Sequence, residues 1–142
     1  MGKFVRLAFV APVIAIAILA WSAVAFADNG VTLSVNPNVQ LTDRVQVVVT
    51  LTYSCPSGWS SMGGSLTIEQ PAGKQIASSQ AYFSAQCNGA DQTTTVTMLA
   101  NPSGPPFHNG PAVVNAAFSA CNYMAYPPTC GSANVNGAIK LQ

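Results

Sequence analysis

The chain has 142 residues, of which 49% are hydrophobic and 6% charged, with a formal net charge of +1. So apolar a composition excludes intrinsic disorder, which needs low hydrophobicity and high net charge. Beyond residue 27 the only cations are Arg44, Lys74 and Lys140, too few and too scattered to bind a row of phosphates or an anionic membrane surface.

In chain order, Lys3 and Arg6 make a short positive stretch, and an apolar run from Leu7 to Ala27 follows. It ends in Ala25-Phe26-Ala27, the small-x-small form of a signal-peptidase site. Residues 1–27 therefore read as a helical signal peptide, with Asp28 as the first residue of the processed chain. A run this long could also span a bilayer as an uncleaved anchor. Pro12 and the Ala-Phe-Ala tripeptide favour cleavage, and no cysteine stands at position 28 to carry a lipid. The expected location is secreted or on the exterior of the cell envelope, with membrane attachment only if the segment is retained. Export places the four cysteines in an oxidising compartment, where they read as disulfides.

Residues 28–142 suit one domain. Val31, Leu33 and Val35 alternate with Thr32 and Ser34, and Asn36-Pro37-Asn38 makes a turn. The clearest strand runs from Arg44 to Ser54: Val45, Val47, Val49, Leu51 and Tyr53 share one face, and only Val48 breaks the period of two. A loop from Cys55 to Gly64 leads to strands over Leu66–Gln70, Gln75–Gln86, Gln92–Ala100, Pro111–Cys121 and Val135–Leu141, separated by Pro/Gly/Asn clusters. About seven short antiparallel strands predict an all-β fold, an immunoglobulin-like sandwich preceded by the signal helix.

If strand directions alternate, the second, fourth and sixth strands finish at one end, at Cys55, Cys87 and Cys121, with Cys130 in the loop beyond. Cys55 shares the inward face of Val49 and Leu51, and Cys87 that of Ala81, Phe83 and Ala85. Cys121 falls opposite the apolar face of Ala112, Val114, Ala116 and Phe118. Parity thus pairs Cys55 with Cys87 and Cys121 with Cys130. In the chain-entropy model such bridges contribute about 3–4 and about 3 kcal/mol.

Catalytic sets are not apparent. Gly58-Trp59-Ser60-Ser61-Met62 begins like a nucleophile elbow but has Met62 where the last glycine belongs. His108 is the only histidine and sits in a turn-rich stretch, so no metal set of three or four ligands is implied. Asp43 and Asp91 begin strands at opposite ends, and Glu69 lies within a strand, so paired-carboxylate chemistry is not implied. The expectation is a chain that is not an enzyme and uses no cofactor. The cysteine end is different: its loops carry Trp59, Met62, Tyr123, Met124 and Tyr126, residue types that dominate recognition surfaces, on stapled segments that lower the ordering cost of binding.

Two resemblances can be stated on these residues. Val45-Gln46-Val47-Val48-Val49-Thr50-Leu51-Thr52-Tyr53-Ser54-Cys55, Cys87-Asn88-Gly89 and Gly110-Pro111-Ala112-Val113-Val114 together resemble small exported bacterial domains of uncharacterised function with an immunoglobulin-like sandwich. That likeness implies fold and export, and carries no activity. Size, export and two bridges are also similar to the neocarzinostatin-type chromophore-binding apoproteins. There both bridges close short loops, whereas Cys55 and Cys87 lie far apart in the chain, so no chromophore cleft is implied. The expected function is a binding or cell-envelope module meeting an extracellular protein, glycan or small molecule through the cysteine-end loops. The alternative is a small-molecule carrier with a pocket between the sheets.

Overall fold

The computed structural model describes residues 24–142. Most of the expected signal helix lies outside them, but its last four residues are described and form a strand. Nine strands occur among the described residues: β1 (Val24–Ala27), β2 (Thr32–Val35), β3 (Asn38–Thr42), β4 (Gln46–Ser54), β5 (Ser60–Ala72), β6 (Gln75–Phe83), β7 (Gln92–Leu99), β8 (Gly110–Asn122) and β9 (Thr129–Leu141). No helix occurs among the described residues. The fold is all-β, as the period of two and the frequent turns imply.

Two ladders are joined by one short strand and, at their other edges, by an isolated bridge between Ser79 and Ala100. In the first, β4 pairs with β7 along one edge and with β2 and then β3 along the other. The second runs β6–β5–β8–β9, and the outer edge of β9 also carries β1. Strand β3 straddles them: Gln40–Thr42 pair with β4, while Asn38 and Val39 pair in parallel with Lys140 and Leu141 of β9. All nine strands therefore belong to one hydrogen-bonded sheet rather than to two separate ones.

The alternating pattern places the core. Val47, Val49, Leu51 and Tyr53 of β4 are buried, as are Leu66 and Ile68 of β5 and Ala112, Val114, Ala116 and Phe118 of β8. Rings from both ladders meet: Tyr53 and Phe118 have centroids 5.3 Å apart, and Phe83 lies 6.3 Å from Tyr53 and 6.2 Å from Phe118. Gly64 makes room for this cluster, since a Cβ there would lie 2.1 Å from the Phe83 ring. Val45, expected on the inward face, is exposed. Asp43 and Arg44 both adopt positive φ, so the chain is still turning there and the pleat begins only at Gln46.

The far end is fastened by Gln70, which is fully buried. Its Nε2 donates to the carbonyls of His108 at 2.9 Å and Pro111 at 3.1 Å, and its Oε1 accepts from the His108 backbone N–H at 2.9 Å. Arg44 Nε donates to the Phe107 carbonyl at 3.1 Å, and the Phe107 N–H donates back to the Arg44 carbonyl at 2.9 Å. Phe107 is thereby held as a fully buried plug in a stretch with no regular structure. Every buried polar side-chain atom among the described residues has a partner.

Strand β6 stops at Phe83, short of the expected Gln86, and one added strand and two earlier starts depart from the expectation for local reasons. Asn36 Oδ1 accepts from the Asn38 N–H at 2.9 Å, so the expected turn forms, but β3 follows it at once and has only Val39 and Leu41 to mark it. Strand β5 starts at Ser60, inside the expected loop, because its Ser/Gly-rich beginning is held by β8 with a bulge between Ser61 and Gly63. Strand β9 starts at Thr129, within Gly-, Ser- and Asn-rich sequence that lacks strand propensity and is held by the full length of β8.

Candidate functional site at the cysteine end

Strands β4, β6 and β8 run in the same direction, because β5 is antiparallel to both β6 and β8, while β9 is antiparallel to β8 and parallel to β3, which opposes β4. Their ends converge, and the cysteines with them. The bridges join Cys55 to Cys87 and Cys121 to Cys130, the two pairs given by face parity.

The first bridge ties the end of β4 to the segment between β6 and β7. The Gly89 N–H donates to the Cys55 carbonyl at 3.0 Å, and the Gln86 N–H reaches the Tyr53 hydroxyl at 3.4 Å. Asn88 Oδ1 accepts from the Ala90 N–H at 2.9 Å and from Gln92 Nε2 at 3.1 Å, which closes the Asn88-Gly89 turn on itself. The second bridge corrects one expectation. Cys130 lies not in a loop but in β9, directly opposite Cys121 in the β8–β9 ladder. The loop is only Tyr123–Pro128, because the ladder continues to Asn122 and Thr129. Cys121 itself is buried, and Cys130 is exposed.

The five candidate contact residues divide. Trp59 is half-buried and packs against the core at the end of the first ladder, where the Pro56–Trp59 turn places it. It is a cap rather than a presented ring. Met62 and Tyr123 are exposed and touch, the Tyr123 hydroxyl donating to Met62 Sδ at 3.2 Å. Met124 is 93% exposed and Tyr126 100%. Asn122 Oδ1 accepts from the Met124 N–H at 3.0 Å and sets the turn that lifts these two outward. The tip of the β8–β9 hairpin, with Met62 of β5 beside it, is thus an apolar surface carrying no charged side chain.

Next to Met62 opens a groove of about 730 Å³ along the outward face of the second ladder. Small outward residues form its floor: Gly63 and Ser65 of β5, Ala117 and Ser119 of β8, and Ser132 of β9. Tyr82, 77% exposed, stands at its edge opposite Ser65. Sequence reading passed over Tyr82, although its place one residue before the inward Phe83 already put it on the outer face. The pocket expected between the sheets for a carrier is not where this groove lies, since Tyr53, Phe83 and Phe118 fill the interior beneath it.

The remaining chemistry-bearing residues are apart. Ser60 starts β5 beside Cys121, whereas His108 is held at the other end of β5, its Nε2 3.1 Å from the Pro71 carbonyl and its Nδ1 3.2 Å from the Asn109 carbonyl. Asp43 sits in the turn before β4, and Asp91 precedes β7 at the cysteine end. No group of three or more His, Cys, Asp or Glu among the described residues could hold a metal ion. No family model, no curated protein and no solved structure matches the chain.

Proposed function

We propose that this chain is exported and works as a non-enzymatic binding or cell-envelope module, meeting an extracellular partner through the β8–β9 hairpin tip. The observation that carries the reading is the presentation of Tyr123, Met124 and Tyr126, with Met62, on a turn stapled at its base by Cys121–Cys130. Large apolar side chains held outward on a constrained turn gain more from burial in a partner than they lose in ordering. Two disulfides support an oxidising, extracytoplasmic setting. An immunoglobulin-like sandwich is the finer reading of the fold: the contact of Tyr53 on Phe118 between the two ladders, the β3 crossover and the alternating strand directions support it.

The test is site-specific photo-crosslinking in the exporting cell, with the reactive group at position 126, at position 124, or at Lys74 on the β5–β6 turn as a control. Adducts at 124 and 126 and none at 74 are expected. Equal labelling at all three, or labelling at 74 alone, overturns the proposal.

A further inference from the structure

Among the described residues, the edge of β9 that faces away from β8 is covered only by β1, β3 and the segment between them. Strand β1 pairs there antiparallel over Ala133–Asn136, and β3 takes Lys140 and Leu141. Even-numbered residues of β9 direct their main-chain groups to this edge. The Ser132 carbonyl accepts from the Asp28 N–H at 3.1 Å, the Cys130 carbonyl accepts from Asn29 Nδ2 at 2.8 Å, and the Lys140 N–H donates to the Pro37 carbonyl at 2.8 Å. Between Thr129 and Ile139 there is no proline and no charged residue, the usual means of blunting an exposed edge.

The cleavage site read from the sequence lies exactly at the end of this covering strand. Scission of the Ala27–Asp28 bond removes all of β1 and leaves Asp28 and Asn29 in place beside Ser132 and Cys130. The edge over Ala133–Asn136 then has unpaired N–H and C=O groups at Asn134 and Asn136. The register also specifies what fits. Ala25 and Ala27 stand opposite Val135 and Ala133, both buried, and Phe26 and Val24 stand opposite Asn134 and Asn136, both exposed. A strand with small residues at alternate positions matches that pattern, which is the small-x-small form of the leader's own end.

We propose that the β9 edge over Ala133–Asn136 is a strand-binding site for an extended, uncharged peptide segment of small-x-small type, filled by Val24–Ala27 until processing vacates it. The proposal rests on cleavage after Ala27 and is independent of the hairpin tip. Main-chain pairing supplies the attraction, and the buried Ala133 and Val135 opposite two of the positions supply the selectivity.

The experiment uses the chain as an exporting cell releases it. Its mass first establishes the N-terminus, expected at Asp28. Amide exchange at Asn134 and Asn136 is then followed with and without a synthetic peptide of residues 22–27 (Ser-Ala-Val-Ala-Phe-Ala). Expected are fast exchange without peptide and slowing by about tenfold or more with it, since each amide regains a ladder partner. The same peptide with proline at the Phe26 position, or arginine at the Ala25 position, leaves exchange fast. Asn134→Pro in the protein, which deletes an N–H on this edge and none facing β8, also abolishes the effect. A released product that still carries residues 24–27 overturns the proposal. So does exchange at Asn134 and Asn136 that the peptide leaves unchanged, and so does protection that rises with protein concentration alone, which assigns the edge to a second copy.

Discussion

Cys121 and Cys130 are bonded to each other and are also direct partners in the β8–β9 ladder, whereas Cys55 and Cys87 join two segments that no ladder pairs. The two bridges therefore do different work. Cys121–Cys130 fixes a hairpin that hydrogen bonds already define, and Cys55–Cys87 closes a long stretch of chain.

Replacing both members of one bridge by serine separates these roles. Loss of Cys55–Cys87 is expected to cost about 3–4 kcal/mol and loss of Cys121–Cys130 about 2–3 kcal/mol, from the loop lengths each one closes. Urea unfolding of the two double variants under non-reducing conditions measures both. An equal or reversed ranking contradicts the assignment.

Phe118 is the ring that joins β8 to Tyr53 of β4, and Phe118→Ala is expected to destabilise by about 3–5 kcal/mol. Gly64→Ala tests the same cluster from below. Its added methyl meets the Phe83 ring, and the forced repacking is expected to cost about 1–3 kcal/mol. Thermal unfolding of the single and double variants gives less than the sum if both disturb one cluster.

Gln70→Leu keeps the buried volume but removes two donors and one acceptor from the far end. Leaving buried backbone groups of this kind unpaired costs about 1–3 kcal/mol. Amide exchange should rise at Phe107 and His108 and stay unchanged at Gly89, whose N–H is bonded to the Cys55 carbonyl at the opposite end.

Met124→Ser with Tyr126→Ser alters side chains with almost no intramolecular contact. Stability is expected to change by less than about 0.5 kcal/mol, while cross-linking from a probe at Tyr123 to the partner is lost. A large fall in melting temperature instead would identify the two side chains as structural.

Much of the body of the fold was legible. The run Val47, Val49, Leu51, Tyr53 has no reading but a half-buried strand, and alternation of strand direction alone gathered Cys55, Cys87 and Cys121. Where propensity was silent, strands went unread. Gly63, Gly64 and Gly131 lie in long strands because neighbouring strands hold them there. Glycine at 64 is required by the Phe83 ring, and at 131 by the Asp28 carbonyl, 2.5 Å from where a Cβ would stand. Of the candidate site, the sequence placed Tyr123, Met124 and Tyr126 in the connection after Cys121 but left open whether the tyrosines cover the Cys121–Cys130 bridge or face outward, and the structure shows them exposed. Trp59 could not be sorted into cap or contact from sequence, because only the turn beginning at Pro56 decides which way it faces.

The pairing of Asn38 and Val39 with Lys140 and Leu141 also imposes an order in time. Strand β9 pairs with β3 of one ladder and β8 of the other and follows both in the chain, so the two ladders cannot join through it before residues 140 and 141 have emerged. At ordinary elongation rates of about 5–20 residues per second, that delay is on the order of ten seconds. Throughout that interval the side of β3 that will meet β9 has no partner strand.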